Sequence, residues 1–428
     1  MIILGIETSC DETAAAVLKK DGNRIEILSN VIASSAKLQQ KFGGIIPEQA
    51  AREQLKSIIP VIKEALAEAF PPPTSHLPPP VDAIAVTQGP GLIGSLLVGV
   101  ETAKVLSLTW KKPLIPVNHL IGHFYANWIT SAVSRGGGKR GAPKTARSEV
   151  ATSEDIFGAV GRQDPEKPTF PCIGLLVSGG HTDLVLFEYH NKYKYLGGTR
   201  DDAAGECFDK CARLLGLPYP GGPQISKLAK SGNPKSFNLP RPMINSNDFD
   251  FSYSGLKTAV SNLVSRGGAK RGAPKTTRSD EVRSEDIFGA ASRQDPEKPT
   301  TSTFESDERF SDLCASIEQA ILEPLVVKTL KAAKKYDVKC IILGGGVAAN
   351  QKLTENLKLE MNKFFSPKNR NLKLGIELFI PPPILCTDNA AMIASAAFFI
   401  AERENSGLIE ERVSPTELQT NPNLSLSI

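Results

Sequence analysis

Residues 2–19 read IILGIETSCDETAAAVLK, and this stretch decides the fold class. Its alternation of apolar and polar blocks predicts a buried strand over residues 2–7, a polar turn, and a return strand over residues 14–19. In several nucleotide-binding folds, such an acidic, hydroxyl-rich turn faces phosphate groups through its backbone N–H groups. An ordinary hairpin turn with Asp11 and Glu12 in solvent fits this stretch equally well.

The same arrangement recurs in the second half of the chain. An apolar run over residues 172–177 is followed by the turn SGGHTD (178–183) and a return strand over residues 184–188. A third strand is predicted after each pair, over residues 25–32 and 193–196. Two halves that begin alike indicate a duplicated α/β architecture, whose ligands bind in a cleft outside the strand ends.

Three further glycine-rich turns either follow a predicted strand or begin a predicted helix. GPGLIG (89–94) leads into a helix ending near Trp110, YPGGP (219–223) starts another helix, and GGGVAAN (344–350) follows a strand over residues 338–343. Such turns let a ligand approach a helix N-terminus, where the helix dipole favours anions. Tight packing of helix on sheet explains the glycines equally well.

The segment PVNHLIGHFY (116–125) places two of the five histidines four residues apart at the start of a predicted helix. His119 and His123 therefore share one helix face. Two neutral imidazoles suit zinc or ferrous iron, although helix-capping or core histidines give the same pattern. A metal would need a third ligand. Asp388, which begins an apolar helix, is either that ligand or a helix N-cap.

Two near-identical segments interrupt the chain. Residues 134–169 and 265–300 each span 36 residues, align without a gap and agree at 28 positions. They are rich in Gly, Arg, Lys and Pro and lack apolar periodicity, so we interpret them as two late insertions that form solvated loops. Each carries a net charge of +2, which together equals the formal +4 of the whole chain, so the basic balance is no sign of nucleic-acid binding.

Composition and termini predict a cytoplasmic protein without a membrane anchor. The 428 residues contain no uninterrupted run of 18 apolar residues, and the N-terminus enters a strand without a basic leader. Seven cysteines without paired spacing fit a reducing compartment. Cys207 and Cys211 share a helix face, where packing explains them better than a metal site.

Ten motifs in order resemble the TsaD family, the tRNA N6-adenosine threonylcarbamoyltransferases formerly described as O-sialoglycoprotein endopeptidases. They are GIETSCDETAAAV, GGIIPE, TQGPGL, VNHLIGH, LVSGGHTDL, DDAAGECFDK, YPGGP, FSYSGLKTAV, GGGVAAN and CTDNAAMIA. The resemblance covers almost the whole chain except the two insertions and a proline-rich linker. It implies a two-lobed actin, hexokinase and Hsp70-like fold with a central cleft.

The resemblance also implies a division into domains. Residues 1–133, completed by a helix at about 386–402, form the N-terminal lobe. Residues 170–385 form the C-terminal lobe, interrupted by the inserted copy at 265–300, and the copy at 134–169 is a loop between the lobes.

The implied reaction transfers the threonylcarbamoyl group from threonylcarbamoyl-AMP to N6 of adenosine 37, in tRNAs that read codons beginning with A. The implied catalytic residues are Asp11 and Glu12, in the acidic turn. The implied metal ligands are His119, His123 and Asp388. The implied substrate-binding residues are Val177, Ser178, Gly179, Gly180, His181, Asp209, Gly222 and Asn350.

One divalent metal per subunit is expected, with Fe2+ favoured and Zn2+ or Mg2+ as alternatives. The expected partners are tRNA, an inactive TsaB-like paralogue and a small TsaE-like ATPase. The chain departs from the family where Gln39 and Gln54 replace two common histidines, which puts a tRNA-facing or partner-facing role of that region in doubt.

Three rival functions share features of this sequence. A kinase or ATPase of the same fold class needs the phosphate turns but no paired histidines. A zinc protease needs His-Glu-x-x-His, and Leu120 stands where its glutamate would be. A non-catalytic scaffold subunit should lack the two histidines and Asp388, all of which are present.

Overall fold

A computed structural model describes residues 1–35, 46–71, 78–132, 149–150, 166–268, 308–365, 376–405 and 414–426. The chain divides into two compact units. The first comprises Met1–Glu206, Pro242–Tyr253 and Leu322–Ile428, and the second comprises Cys207–Arg241 and Ser254–Ile321. Gln39 lies outside the described residues.

The first unit contains a sheet of seven strands, counted over the described residues. They are β1 (Ile2–Glu7), β2 (Glu12–Asp21), β3 (Arg24–Ser34), β4 (Ala83–Gly89), β5 (Leu114–Asn118), β6 (Ser131–Ala132) and β7 (Glu149–Val150). Their order is β5-β4-β1-β2-β3-β6, with β7 also on β3. Strand β2 pairs antiparallel with β1 on one side and with β3 on the other, whereas β4 and β5 extend the sheet in parallel from β1.

A second sheet of five strands, again over the described residues, repeats this arrangement. Its strands are β8 (Cys172–Val177), β9 (Thr182–Tyr189), β10 (Lys192–Gly198), β11 (Cys340–Gly344) and β12 (Glu377–Phe379), in the order β10-β9-β8-β11-β12. Here too the first three strands are antiparallel and the last two are parallel to the first. The duplicated α/β architecture predicted from the two strand-turn-strand segments is confirmed, and it is that of the actin, hexokinase and Hsp70-like class.

Ten α-helices are present in the described part of the chain. They are α1 (Pro47–Ala69), α2 (Ile93–Trp110), α3 (His119–Tyr125), α4 (Ala204–Leu214), α5 (Gly221–Ala229), α6 (Ser254–Gly268), α7 (Glu308–Lys335), α8 (Gln351–Phe364), α9 (Pro383–Cys386) and α10 (Ala390–Asn405). Helices α1 and α2 pack on one face of the first sheet, and α10 packs on the other.

Helix α10 approaches the first sheet closely because both surfaces are built from small residues. Its buried face is rich in alanine, and a Cβ added to Gly5 of β1 would lie 2.4 Å from the carbonyl oxygen of Ala390. Any larger residue at position 5 would therefore push the helix away from the strand. The start of α10 is thus held at the end of β1 where the acidic turn begins.

Helix α2 is long and apolar enough to cross a membrane by length and composition, with a mean hydropathy of 1.2 over Ile93–Trp110. The charged residues Glu101 and Lys104 interrupt its apolar residues, so it does not form the continuous apolar run of a typical membrane span. Its residues Leu96, Val100 and Ala103 are fully buried against the first sheet, which makes it a core helix.

The first inserted copy contributes one short element to the described structure. Strand β7, two residues long, pairs antiparallel with β3 through Val31–Val150 and Ile32–Glu149. The loop interpretation did not include this strand. Of the second copy, the structure describes only the four residues that extend α6 to Gly268.

Candidate active site

Helix α3 lies between the two sheets and carries the paired histidines. The side chain of Asn118 caps the helix by accepting hydrogen bonds from the N–H groups of Leu120 (2.8 Å) and Ile121 (3.4 Å). His119 is therefore the first helical residue and His123 lies one turn later on the same face, as the spacing predicts. The two rings are buried, with centroids 4.7 Å apart.

Close packing fixes α3 on three sides. On the side of α10, a Cβ added to Gly122 would lie 2.8 Å from Ile393. On the side of β8, a Cβ added to Gly174 would lie 2.6 Å from Phe124. On the side of β11, a Cβ added to Gly344 would lie 3.1 Å from the backbone of His123. The histidines therefore have little freedom to move relative to either sheet.

The carboxylate of Asp388 meets both imidazoles. Its Oδ1 lies 3.5 Å from Nε2 of His119 and 3.2 Å from Nε2 of His123. The neighbouring residue, Asn389, caps α10 instead, since its Oδ1 accepts the N–H of Met392 at 3.0 Å. Of the two interpretations of Asp388, the structure therefore favours the ligand position over the N-cap.

These three side chains fit a divalent metal ion. Each offers a ligand atom, and the three atoms lie within 4.8 Å of one another, in the only such group found among the described residues. Ligands held about 2.1 Å from one ion lie about 3–4 Å apart, close to the observed spacing. Both ring nitrogens of His123 are buried without a well-aligned hydrogen-bond partner, and a bound cation would satisfy one of them.

The electrostatics of the cluster also suit a cation. Burial disfavours a charge on His119, but Glu7 and Asp388 outweigh it and raise the pKa of His119 to about 9. Burial prevails at His123 and lowers its pKa. Burial alone would raise the pKa of Asp388, but the two histidines hold it well below its usual range. The site thus favours positive charge, which a metal ion would supply in place of the proton.

Glu7 is a site residue that the sequence reasoning missed. Its side chain is fully buried at the end of β1, and its Oε2 lies 3.0 Å from Nδ1 of His119. A glutamate that ends an otherwise apolar strand was the available signal, because glutamate is almost never fully buried unless paired.

The acidic turn lies beside the histidine–aspartate cluster. Burial, followed by the neighbouring carboxylates of Asp11 and Asp388, raises the pKa of Glu12 well above its usual value. The hydroxyl of Ser34 donates to Glu12 at 3.2 Å. The two predicted catalytic acids and the histidine–aspartate cluster therefore share one electrostatic environment.

Gln54, on α1, holds the acidic turn by hydrogen bonds to its backbone. Its amide Nε2 lies 3.3, 3.1 and 2.9 Å from the carbonyl oxygens of Thr8, Cys10 and Glu12. The side chain is 1% exposed, so it supports the turn internally. Gln54 therefore positions the turn through its hydrogen bonds.

The predicted substrate turn Val177–His181 lies next to the same cluster. Ser178 donates its N–H to the carbonyl of His181 at 2.8 Å, and its hydroxyl accepts the N–H of His181 at 3.1 Å. Gly179 and Gly180 have open space where a Cβ would stand. Burial and the charges of His119 and His123 lower the pKa of His181 to about 4.

The glycine turn after β11 packs against this substrate turn. Gly345 has a φ of 87°, and an added Cβ would lie 2.5 Å from the carbonyl oxygen of Val177. Only glycine fits this backbone without strain. Asn350 caps α8, accepting the N–H of Leu353 at 2.9 Å.

The two remaining predicted substrate residues belong to the second unit. Asp209, on α4, accepts the N–H of Gly221 at 2.7 Å and so fixes the start of α5. Gly222 follows, and a Cβ added there would make ordinary contact with Phe208 at 3.8 Å. The Asp209 carboxylate and the pair Gly221–Gly222 therefore lie next to each other.

The C-terminal segment adds a wall to the site that no motif indicated. Asn421 donates its N–H to the carbonyl of Gln88 at 2.9 Å, and Gly91 donates to the carbonyl of Pro422 at 3.2 Å. A cavity of about 300 Å³ lies between residues 422–426 and the predicted substrate residue His181. The other residues that line it are Pro90, Leu120, Asp183 and Tyr195.

Together, the duplicated sheet, the two glycine-rich turns and the histidine–aspartate cluster define a member of the actin, hexokinase and Hsp70-like class with a candidate metal centre. Comparison with known proteins narrows this class. The model of the TsaD family, tRNA N6-adenosine threonylcarbamoyltransferase, matches residues 26–136 and 155–395. The chain belongs to this family and is an acyltransferase that forms N6-threonylcarbamoyladenosine in tRNA.

Relatives align along nearly the whole chain. The tRNA N6-adenosine threonylcarbamoyltransferase of Thermomicrobium roseum is 45% identical over 94% of this chain and 93% of its own length. That of Bacillus subtilis is 40% identical over 97% of this chain and 95% of its own length. Among solved structures, a ROK hexokinase from Thermus thermophilus aligns over 95% of this chain and 100% of its own, with 13% identity and a TM-score of 0.39.

Proposed function

We propose that the donor is threonylcarbamoyl-AMP and that the acceptor is N6 of adenosine 37 in tRNAs that read codons beginning with A. The N6 amine attacks the carbamoyl carbon, the bond from that carbon to the phosphate oxygen breaks, AMP leaves, and N6 releases a proton. The observation that carries this proposal is the convergence of His119, His123 and Asp388 beside two glycine-rich turns, in a chain of the TsaD family.

We assign the metal site to His119, His123 and Asp388. We propose that Fe2+ occupies it. Two imidazoles and one carboxylate are a donor set that ferrous iron accepts, and Zn2+ or Mg2+ are the alternatives that metal analysis would distinguish. When bound, the ion supplies Lewis-acid polarisation of the carbonyl or neutralises the phosphate.

We assign the remaining steps to the chain's own groups. The exposed backbone of Gly179 and Gly180, together with Val177, Ser178 and His181, holds the donor and the oxygen on which charge develops. Asp209, Gly222 and Asn350 complete the binding of the adenylate. Glu12, with its raised pKa and with Asp11 beside it, is suited to accept the proton from N6.

The experiment combines the protein and its helper proteins with threonylcarbamoyl-AMP and an unmodified tRNA transcript, followed by mass analysis of the nucleosides. We expect threonylcarbamoyladenosine and AMP from the wild type. His119→Ala should lose bound iron and product while its circular dichroism is unchanged. Full transfer by this variant would refute the metal site, and ATP turnover without modified nucleoside would favour the kinase alternative.

We propose that an inactive TsaB-like paralogue docks on the outer side of α1 and α2, and that a small TsaE-like ATPase joins this assembly. Large apolar side chains are exposed along both helices. They are Leu55, Ile59, Ile93, Leu97, Val105 and Leu108, with exposed fractions of 45–64%. An apolar surface of this kind is typical of a protein interface. Val105→Glu should abolish co-purification with the paralogue, whereas Lys358→Glu, at an exposed position of α8, should not.

We also propose the lobe division expected from the resemblance and a cytoplasmic location. The packing of α10 on β1 supports an N-terminal lobe that residues 386–402 complete. Limited proteolysis should cut first within 134–169 and 265–300, and deletion of 265–300 should leave an active enzyme. Loss of folding on that deletion would contradict the division.

A further inference from the structure

Glu7 is a charged residue in a place where charge is costly. Its side chain is 0% exposed, and the five preceding residues of β1 are apolar or glycine. A carboxylate removed from water in this way needs a full set of hydrogen-bond donors. The identity of those donors indicates what the residue does.

Three donors surround the Glu7 carboxylate. Oε1 accepts the N–H of Ser9 at 2.5 Å. Oε2 accepts the hydroxyl of Thr87 at 2.5 Å and lies 3.0 Å from Nδ1 of His119. Strand β4 supplies Thr87 and the acidic turn supplies Ser9, so both neighbours hold the carboxylate toward the ring.

An ionised carboxylate only accepts hydrogen bonds, so Nδ1 of His119 must carry a proton to make this contact. A neutral imidazole protonated at Nδ1 has its lone pair on Nε2. That nitrogen is the one that faces Asp388, at 3.5 Å. The Glu7 contact therefore keeps one proton on Nδ1, so an ion that displaces the second proton of the ring binds at Nε2, the metal-facing nitrogen.

We propose that Glu7 is a positioning residue that holds His119 with a proton on Nδ1 and Nε2 directed at the metal, and that Thr87 and Ser9 hold Glu7 in turn. Histidine ligands of protein metal sites commonly donate their second N–H to a carboxylate, which fixes the ring and increases its basicity. The inference rests on the proposed metal site and adds the group that makes His119 a ligand.

The two histidines differ in this respect. Nδ1 of His123 has no hydrogen-bond partner among the described residues. His119 is therefore the ligand whose orientation is fixed before metal binding. A change at Glu7 should therefore affect the hydrogen bonding of His119 and leave that of His123 unchanged.

Glu7→Gln removes this support with almost no change in volume. The glutamine amide must place its NH2 either against the N–H of Ser9, where two donors would face each other, or against Nδ1–H of His119. Either arrangement breaks one of the bonds seen in the structure. Loss of such a carboxylate partner typically weakens metal binding by about 10–100-fold.

The first readout is metal affinity, with Co2+ as the probe because its bound form absorbs visible light. We expect the dissociation constant of Glu7→Gln to rise about 10–100-fold over the wild type. Thr87→Val should give a smaller rise, and Glu318→Gln, which alters a buried glutamate bonded to Ser226, should give none. Affinity of Glu7→Gln within twofold of the wild type would overturn the proposal.

The second readout does not need metal. Nitrogen-15 labelling of the five histidines should reveal a slowly exchanging, hydrogen-bonded Nδ1 proton on His119 in the wild type and in Glu318→Gln, and none in Glu7→Gln. A wild-type His119 without that proton overturns the proposal even if Glu7→Gln does not fold. Equal Co2+ binding by wild type and His119→Ala would instead refute the metal site, and the proton signal would still decide the role of Glu7.

Discussion

Truncation of Gln54 to alanine should loosen the acidic turn and destabilise the protein. The amide shares its two hydrogens among one buried and two partly buried carbonyl oxygens, at 3.3, 3.1 and 2.9 Å. The Cys10 carbonyl still accepts the hydroxyl of Ser95 at 3.0 Å, so Gln54→Ala removes a donor chiefly from the carbonyls of Thr8 and Glu12. An unsatisfied buried polar group costs about 1–3 kcal/mol.

Two smaller terms act in the opposite direction and reduce the net effect. Oε1 of Gln54 is itself buried without a partner among the described residues, so its removal relieves an existing penalty. Alanine also favours the helix by a few tenths of a kcal/mol. We therefore expect a net loss of about 2–3 kcal/mol in the free energy of unfolding.

Urea unfolding of Gln54→Ala and the wild type measures this loss. Gln49→Ala is the matched control, because it makes the same substitution in the first turns of α1 at a position only partly buried. The transfer rate should also fall, since Asp11 and Glu12 lie in the turn that loses its support. A loss within 0.5 kcal/mol of that in the control, or an unchanged rate, would refute the argument that Gln54 positions the turn.

Three further predictions concern other parts of the molecule. Burial and the charge of Lys20 lower the pKa of His190 to about 4. Between pH 6.5 and 4 the unfolded chain therefore takes up a proton that the folded protein refuses, so stability falls as the pH falls. His190→Phe should reduce this acid-induced loss by about 1–2 kcal/mol in urea titrations at pH 7.5 and 4.5, and an identical loss would contradict the assignment. Lys328 is fully buried and donates to the hydroxyl of Ser246 at 2.7 Å and to the carbonyl of Asp248 at 3.2 Å. Lys328→Met should cost about 2–4 kcal/mol of unfolding free energy because these acceptors lose their donor, and a cost below 1 kcal/mol would show that the network is dispensable. Chelation of the metal should lower the melting temperature of the wild type but not of His119→Ala, since a ligand at about 100 times its dissociation constant adds about 2.7 kcal/mol.

The strand pattern and the histidine spacing were accessible from the sequence because they depend on local periodicity. Alternating apolar blocks predicted the two strand-turn-strand halves, and a separation of four residues predicted that His119 and His123 share a face. The sequence left two interpretations of Asp388, a metal ligand and an N-cap. Its role depends on contacts with His119 and His123, which lie 265 or more residues away along the chain. The neighbouring Asn389 proved to be the cap.

The support beneath the site was not predictable in the same way. Glu7 and Gln54 act through contacts with His119 and with the backbone of the acidic turn, and neither contact has a spacing rule. The packing of residues 419–422 on the end of β4 likewise arises from hydrogen bonds to backbone groups, one of them donated by the side chain of Gln88, and such bonds carry no sequence signature. Long-range contacts of this kind appear only once the sheets are assembled.

The central claim is that His119, His123 and Asp388 bind one metal ion that the transfer reaction needs. Anomalous diffraction from crystals of the purified protein, recorded on both sides of the iron absorption edge, tests this most directly. We predict a single strong peak about 2 Å from both Nε2 atoms and from the Asp388 carboxylate, which disappears in His119→Ala. A map without a peak among these three side chains, from protein that forms threonylcarbamoyladenosine at the full rate, would contradict the claim.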